Sequence, residues 1–209
     1  MKPWIVSLLL VTALTGPAFA ATKPAKSDKT DSKKSAAPDS LKLLEQSVAK
    51  DSTKFENLVA LGAMYLDRDR PVEAERVLHK ANQVRPKNLK VLVNLGAAYD
   101  AQGSADAAQK YYREALTVSP GDELATCRLA SSLYAQAKQS DAVQLLRDMI
   151  REKPKAYCAY FTMGVAFADA GIYREAIRMW KKVVEIAPDS PEAASARESI
   201  DVLQKFVGI

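Results

Sequence analysis

Cys127 and Cys158, 31 residues apart, are the two cysteines of this 209-residue chain, and His79 is its single histidine. Two thiols at that separation can close a disulfide or stay free, but without Cys-x-x-Cys spacing they are not a redox-active pair. No histidine partners either thiol, so a thiol-protease arrangement is excluded. His79 itself lies in a charged neighbourhood and reads as an exposed surface residue. Asp67-Arg68-Asp69 opens like a calcium loop, yet no following glycine and glutamate complete it, so it reads as a turn. No catalytic, metal or cofactor constellation emerges; neither an enzyme nor a cofactor is expected. What remains is chemistry of recognition, carried by Val59, Ala63, Val93, Asn94, Ala97, Arg128, Ser131, Tyr134, Phe161 and Val165. A mostly apolar set with a few hydrogen-bonding groups suits a protein or peptide segment.

The elements that must position these residues follow from a repeat. Pro86, Pro120, Pro154 and Pro188 stand 34 residues apart, and many other positions keep that step. Small residues recur at Gly62, Gly96, Ala130 and Gly164 and again at Ala74, Ala108, Ala142 and Ala176. Large ones recur at Tyr65, Tyr99, Leu133 and Phe167, then at Leu78, Tyr112, Leu146 and Trp180. Inside a unit the apolar steps are three and four, the period of a helix face. Residues 67–70 carry no apolar position, and Pro71 suits the first turn of a second helix. Pro86 then ends that helix by breaking the ladder and restricting the residue before it. Each unit is helix, tight turn, helix, stop, with small residues where two helices approach closely.

This unit resembles the tetratricopeptide repeat, with its 34-residue period and its leucine, glycine, tyrosine, alanine and proline columns. Four full copies span 55–88, 89–122, 123–156 and 157–190. The second, with Leu95-Gly96, Tyr99, Ala108, Ala115 and Pro120, lies nearest the family pattern. The third departs most, through Ala130 and Leu133, but keeps both size classes. The resemblance implies an all-α, right-handed solenoid whose first helices line a concave face, where the family binds partner segments. The ten residues named above are those that the core columns leave free toward that face. Leu66, Asp100, Cys127 and Ala168 continue it, and Lys90, Asp67, Thr162 and Asp169 stand with Asn94 and Arg128 at its edges. One variant of the family grips a partner's C-terminal carboxylate with lysine, asparagine and arginine. Here only Asn94 and Arg128 match and both lysines are missing, so a cytosolic chaperone-tail receptor is not expected.

Both ends are read as additions to the four units. Residues 39–54 align with the second helix of a missing preceding unit, forming a half-repeat helix. At the other end Ser190-Pro191 starts a capping helix over 191–207, with Ala196, Ile200, Leu203 and Val207 on one stripe. Its apolar end, Phe206-Val207-Gly208-Ile209, either packs on the fourth unit or offers an edge for a homo-oligomer. The domain as a whole is expected over 39–209. Residues 1–20 have a positive start, an apolar run and a small-x-small ending, the pattern of a secretory signal peptide. Residues 21–38 hold no large apolar residue and are expected to be a disordered linker.

Charge must be corrected for this leader. The chain carries a net +5, of which residues 1–38 supply +4 through six lysines against Asp28 and Asp31. The remainder is near neutral, so a nucleic-acid partner is not expected. After signal cleavage no stable membrane insertion is expected either. The leader implies a periplasmic or secreted protein, and an oxidising compartment favours a Cys127–Cys158 disulfide. Two buried free thiols remain the other arrangement. The resulting expectation is a non-enzymatic periplasmic adaptor that binds a protein or peptide in its concave groove, in envelope complex assembly or protein maturation. The alternative is a structural protein that self-assembles through its terminal helices.

Overall fold

The computed structural model describes residues 40–208. The expected signal peptide and linker lie outside the described residues. Within them run α1 (Ser40–Lys50), α2 (Phe55–Asp67), α3 (Pro71–Val84), α4 (Leu89–Ala101) and α5 (Ala105–Val118). They continue as α6 (Glu123–Ala135), α7 (Gln139–Glu152), α8 (Tyr157–Asp169), α9 (Tyr173–Ile186) and α10 (Pro191–Val207). No strand occurs among the described residues. First helices begin at residues 55, 89, 123, 157 and 191 and second helices at 71, 105, 139 and 173, each at the 34-residue step.

Local signals set these boundaries. Asn88, Asp122 and Ser190 cap α4, α6 and α10, accepting hydrogen bonds from the backbone N–H of Val91 at 3.2 Å, Ala125 at 2.8 Å and Ala193 at 3.0 Å. The turn inside each unit closes through one left-handed residue, at Asp69, Gly103, Ala137 and Gly171. The N–H one residue further on then donates to a carbonyl five residues back: Arg70 to Tyr65 at 2.8 Å, Ser104 to Tyr99 at 2.8 Å, Lys138 to Leu133 at 3.0 Å and Ile172 to Phe167 at 2.8 Å. This 6→1 closure satisfies orphan carbonyls at the helix end. α1 is shorter than the expected 39–54, because Asp51 accepts from the Thr53 N–H at 2.9 Å and turns the chain out of the helix.

Packing follows the small and large columns. A Cβ on Gly62 would lie 2.6 Å from Leu78, on Gly96 2.3 Å from Tyr112, and on Gly164 2.3 Å from Trp180. At each of these steps a Cβ would overlap the partner's side chain, which would have to shift to admit it. Three apolar clusters result, spanning α1 to α4, α4 to α8 and α8 to α10, and shared helices join them into one row. α2 touches α4, α4 touches α6, α6 touches α8 and α8 touches α10, whereas no second helix touches the next second helix. The first helices therefore form the inner, concave side and the second helices splay outside.

The ends terminate the row differently. α1 buries Leu41 against the first unit and is tied to α2 by the Tyr65 hydroxyl donating to Glu45 at 2.9 Å. α10 buries Ala193, Ala196, Ile200 and Leu203. Its next face carries Arg197, Glu198 and Asp201, all exposed, at the steps where Leu61, Gly62 and Tyr65 stand in the first unit. A further second helix would meet Glu198 where every earlier one meets glycine or alanine, flanked by Arg197 and Asp201 in place of large residues. Phe206 edges onto Tyr173 of the fourth unit at 5.4 Å and Val207 packs on the last cluster, so the apolar end packs on the fourth unit while Phe206 stays exposed.

Candidate binding groove

The column of inward positions at 59, 93, 127, 161 and 195 reads Val, Val, Cys, Phe, Ser. Val59 and Val93 are buried between neighbouring helices and so belong to the core, not to an open groove surface as expected. Cys127 is buried likewise. Phe161 is only half-buried, since the next helix presents Ser195 there and Ser199 one turn on, both too small to cover it. The column closes at its N-terminal end and opens at its C-terminal end.

The opening is a cavity of about 300 Å3 lined by Ser131 and Tyr134 on α6, Phe161, Thr162, Val165, Ala168 and Asp169 on α8, Trp180 on α9, and Ser195 and Ser199 on α10. Four of the predicted groove residues, Ser131, Tyr134, Phe161 and Val165, meet here. Thr162 and Asp169, expected at the rim, line it too. Ser195, Ser199 and Trp180 were missed by sequence reasoning. The two serines could have been found by carrying the 34-residue step one unit further, onto the capping helix. Two wall donors are committed: Trp180 Nε1–H to the Phe161 carbonyl at 3.2 Å and the Thr162 hydroxyl to the Cys158 carbonyl at 3.0 Å. The Tyr134 hydroxyl points to the end of α8, reaching the Ala166 carbonyl at 3.5 Å and the Asp169 carboxylate. Asp169 is exposed at the cavity rim; the desolvation it does undergo raises its carboxyl above its usual value, against the opposing hydrogen bond from Tyr134.

Cys127 and Cys158 form a disulfide between α6 and α8, with Cα atoms 6.2 Å apart. Ser131 lies one turn beyond Cys127 and Phe161 one turn beyond Cys158. The bond therefore holds two walls of the cavity in register.

The middle of the groove is more polar. Ala63 and Ala97 are half-buried, as are Asn94 and Arg128. The Asn94 Nδ2 amide is buried and has no hydrogen-bond partner among the described residues. Asp100, expected to face a partner, turns inward instead. Its carboxylate accepts from the Tyr112 hydroxyl at 2.9 Å and the Ser132 hydroxyl at 2.9 Å, joining α4 to α5 and α6. Burial raises the Asp100 carboxyl, with those two hydrogen bonds and the Arg128 charge opposing. Tyr112 is pushed far up, first by burial and then by the Asp100 charge.

His79 departs from its expected exposure. It is half-buried, and its Nε2 lies 2.9 Å from the Tyr99 hydroxyl, which donates to Glu75 at 3.0 Å. Tyr99 stacks on Tyr111 at 5.4 Å, and burial together with the Glu75 hydrogen bond pushes its hydroxyl up to about 12. An aromatic shelf, invisible in the charged local sequence, explains the histidine. Among the described residues no group of three or more His, Cys, Asp or Glu side chains could hold a metal ion.

Residues 65–126 and 159–190 match protein-family models described as tetratricopeptide repeats. The chain is 27% identical over 128 residues to Tetratricopeptide repeat protein 7B of Homo sapiens, covering 61% of this chain and 15% of that protein. It is 31% identical over 102 residues to the Peroxisomal targeting signal receptor of Eremothecium gossypii, covering 49% of this chain and 18% of that one. The chain thus spans less than a fifth of the length of either relative. Among solved structures, MamA superposes with a TM-score of 0.58 at 23% identity, over 70% of this chain and 85% of MamA. YrrB, described as a TPR protein with an unusual peptide-binding site, superposes with a TM-score of 0.54 at 20% identity, over 76% and 81%. These two are likenesses of fold. The helix pairs, their 34-residue step and the close approach of each small column to its large partner agree with the matched models: residues 65–126 and 159–190 are tetratricopeptide repeats.

Proposed function

We propose that the protein is a non-enzymatic adaptor that holds a segment of a partner protein in its concave groove. The observation that carries this reading is the cavity between α6, α8 and α10, open on the inner face and walled by aromatic and hydroxyl side chains. The Peroxisomal targeting signal receptor and the peptide-binding site named for YrrB support protein recognition as the class of function. The signal-like leader and the disulfide support an exported protein acting in the periplasm, in envelope complex assembly or protein maturation.

Self-assembly is the second reading, favoured by the exposed Val202 and Phe206 on α10. Arg197, Glu198 and Asp201 oppose continuation of the stack into another copy. The test is capture of a partner from an envelope extract by the native protein and by a Tyr134→Ala/Phe161→Ala variant. Loss of capture with an unchanged helical spectrum supports the adaptor; undiminished capture removes the groove as its site.

A further inference from the structure

We propose that the cavity at the C-terminal end of the groove takes a basic side chain, arginine or lysine, from an extended segment of a partner protein. Its aliphatic stem would lie against Phe161, Val165 and Trp180 and its charged head at Asp169. The proposal rests on the groove reading above and adds the chemistry of the occupant.

Among the described residues Asp169 is the only formally charged group lining the cavity; the other polar side chains there are hydroxyls and the indole. The Thr162 hydroxyl and the indole N–H already donate within the protein, so no charged donor and few free ones remain for a carboxylate ligand. Oxygen acceptors backed by one carboxylate select a cation. Among the described residues Asp169 makes no ion pair, and its polar partner is the Tyr134 hydroxyl. Its place in the fold strengthens the point. Asp169 is the last residue of α8, where the helix dipole disfavours a carboxylate. The two preceding units have Ala101 and Ala135 at that step, so the turn does not require an acid. Tyr134 and Phe161 add aromatic faces suited to a cation. At about 300 Å3 the cavity suits one long side chain, not a helix.

The test uses the full chain labelled with 15N and the indole signal of Trp180, told from that of Trp4 by a Trp4→Phe control. The probes are acetylated, amidated peptides Ser-Ala-Ala-X-Ala-Ala-Ser in which X is arginine, norleucine or glutamate. The arginine peptide is expected to bind at least about threefold more tightly than the norleucine peptide, with glutamate weakest. Asp169→Asn should bring arginine down to the norleucine level and leave norleucine unchanged. Equal binding of arginine and norleucine to the native protein overturns the cation assignment and leaves the groove reading standing. Failure of every peptide to move the Trp180 signal overturns both. Movement of that signal on deleting residues 21–38, without peptide, overturns the partner assignment and makes the chain's own lysine-rich segment the occupant.

Discussion

Breaking the Cys127–Cys158 bond should loosen the half of the solenoid that contains the cavity. The bond closes 31 residues, from the middle of α6 through α7 to the start of α8. In the chain-entropy model such a loop restrains the unfolded chain by about 12 cal/mol/K, or about 3.5–4 kcal/mol at room temperature. With a urea slope of about 2 kcal/mol/M for a domain of this size, the midpoint should fall by roughly 1.5–2 M on reduction. Neighbouring units share apolar clusters, so much of that loss should appear in α6 to α8 before α2 to α5. The assay is urea unfolding followed by circular dichroism, with and without reductant, and with a Cys127→Ala/Cys158→Ala variant as the thiol-free reference. Hydrogen exchange on the same samples locates the loss. Coincident midpoints for oxidised and reduced protein, or two titratable thiols in unfolded, unreduced protein, would refute the reasoning.

Gly96→Ala should destabilise by about 1–2 kcal/mol in thermal unfolding, since overpacking against the rigid Tyr112 ring outweighs the roughly 1 kcal/mol that alanine gains in a helix. Gly62→Ala should cost less, because Leu78 can rotate; the buried Ala130 and Leu146 coexist at the same two steps in the third unit. Ala137→Gly should stabilise by about 0.5–1 kcal/mol, because Ala137 sits at φ 59° in the turn after α6. Asp100 should give stability a pH signature. Its folded pKa is raised above the ordinary 3.8, so the folded state holds the proton more tightly and stability falls as pH rises through that raised value. Asp100→Asn should remove this slope in denaturation midpoints measured between pH 4 and 7; an unchanged slope would show that another group carries it.

The architecture was legible because its determinants are local and repeated. Pro71 at a helix start, Ser190 as a cap and the small columns each speak from their own sequence neighbourhood. Half of the turn residues spoke less clearly: Gly103 and Gly171 announce a left-handed backbone, while Asp69 and Ala137 adopt it under the pull of the 6→1 closure. The groove was harder to read, since exposure depends on which side chain the next helix presents. Val59, Val93 and Phe161 stand at one step of the repeat, yet only Phe161 opens, because Ser195 follows it. Asp100 lies at the same step as Tyr134 and turns inward for Tyr112 and Ser132. Direction also decided the cysteines, whose spacing allowed both a bond and two thiols.

The central claim, that a partner segment lies in the cavity between α6, α8 and α10, is tested most directly by photo-crosslinking at chosen positions. A diazirine side chain placed at the exposed Ser131, on the cavity rim, should crosslink one envelope protein within a single short segment. That crosslink should disappear when Tyr134→Ala and Phe161→Ala are added. The same probe at the exposed Lys110 on the outer helix α5 should give none. Equal labelling from the two positions, or a Ser131 crosslink that survives loss of both aromatic side chains, would contradict the account.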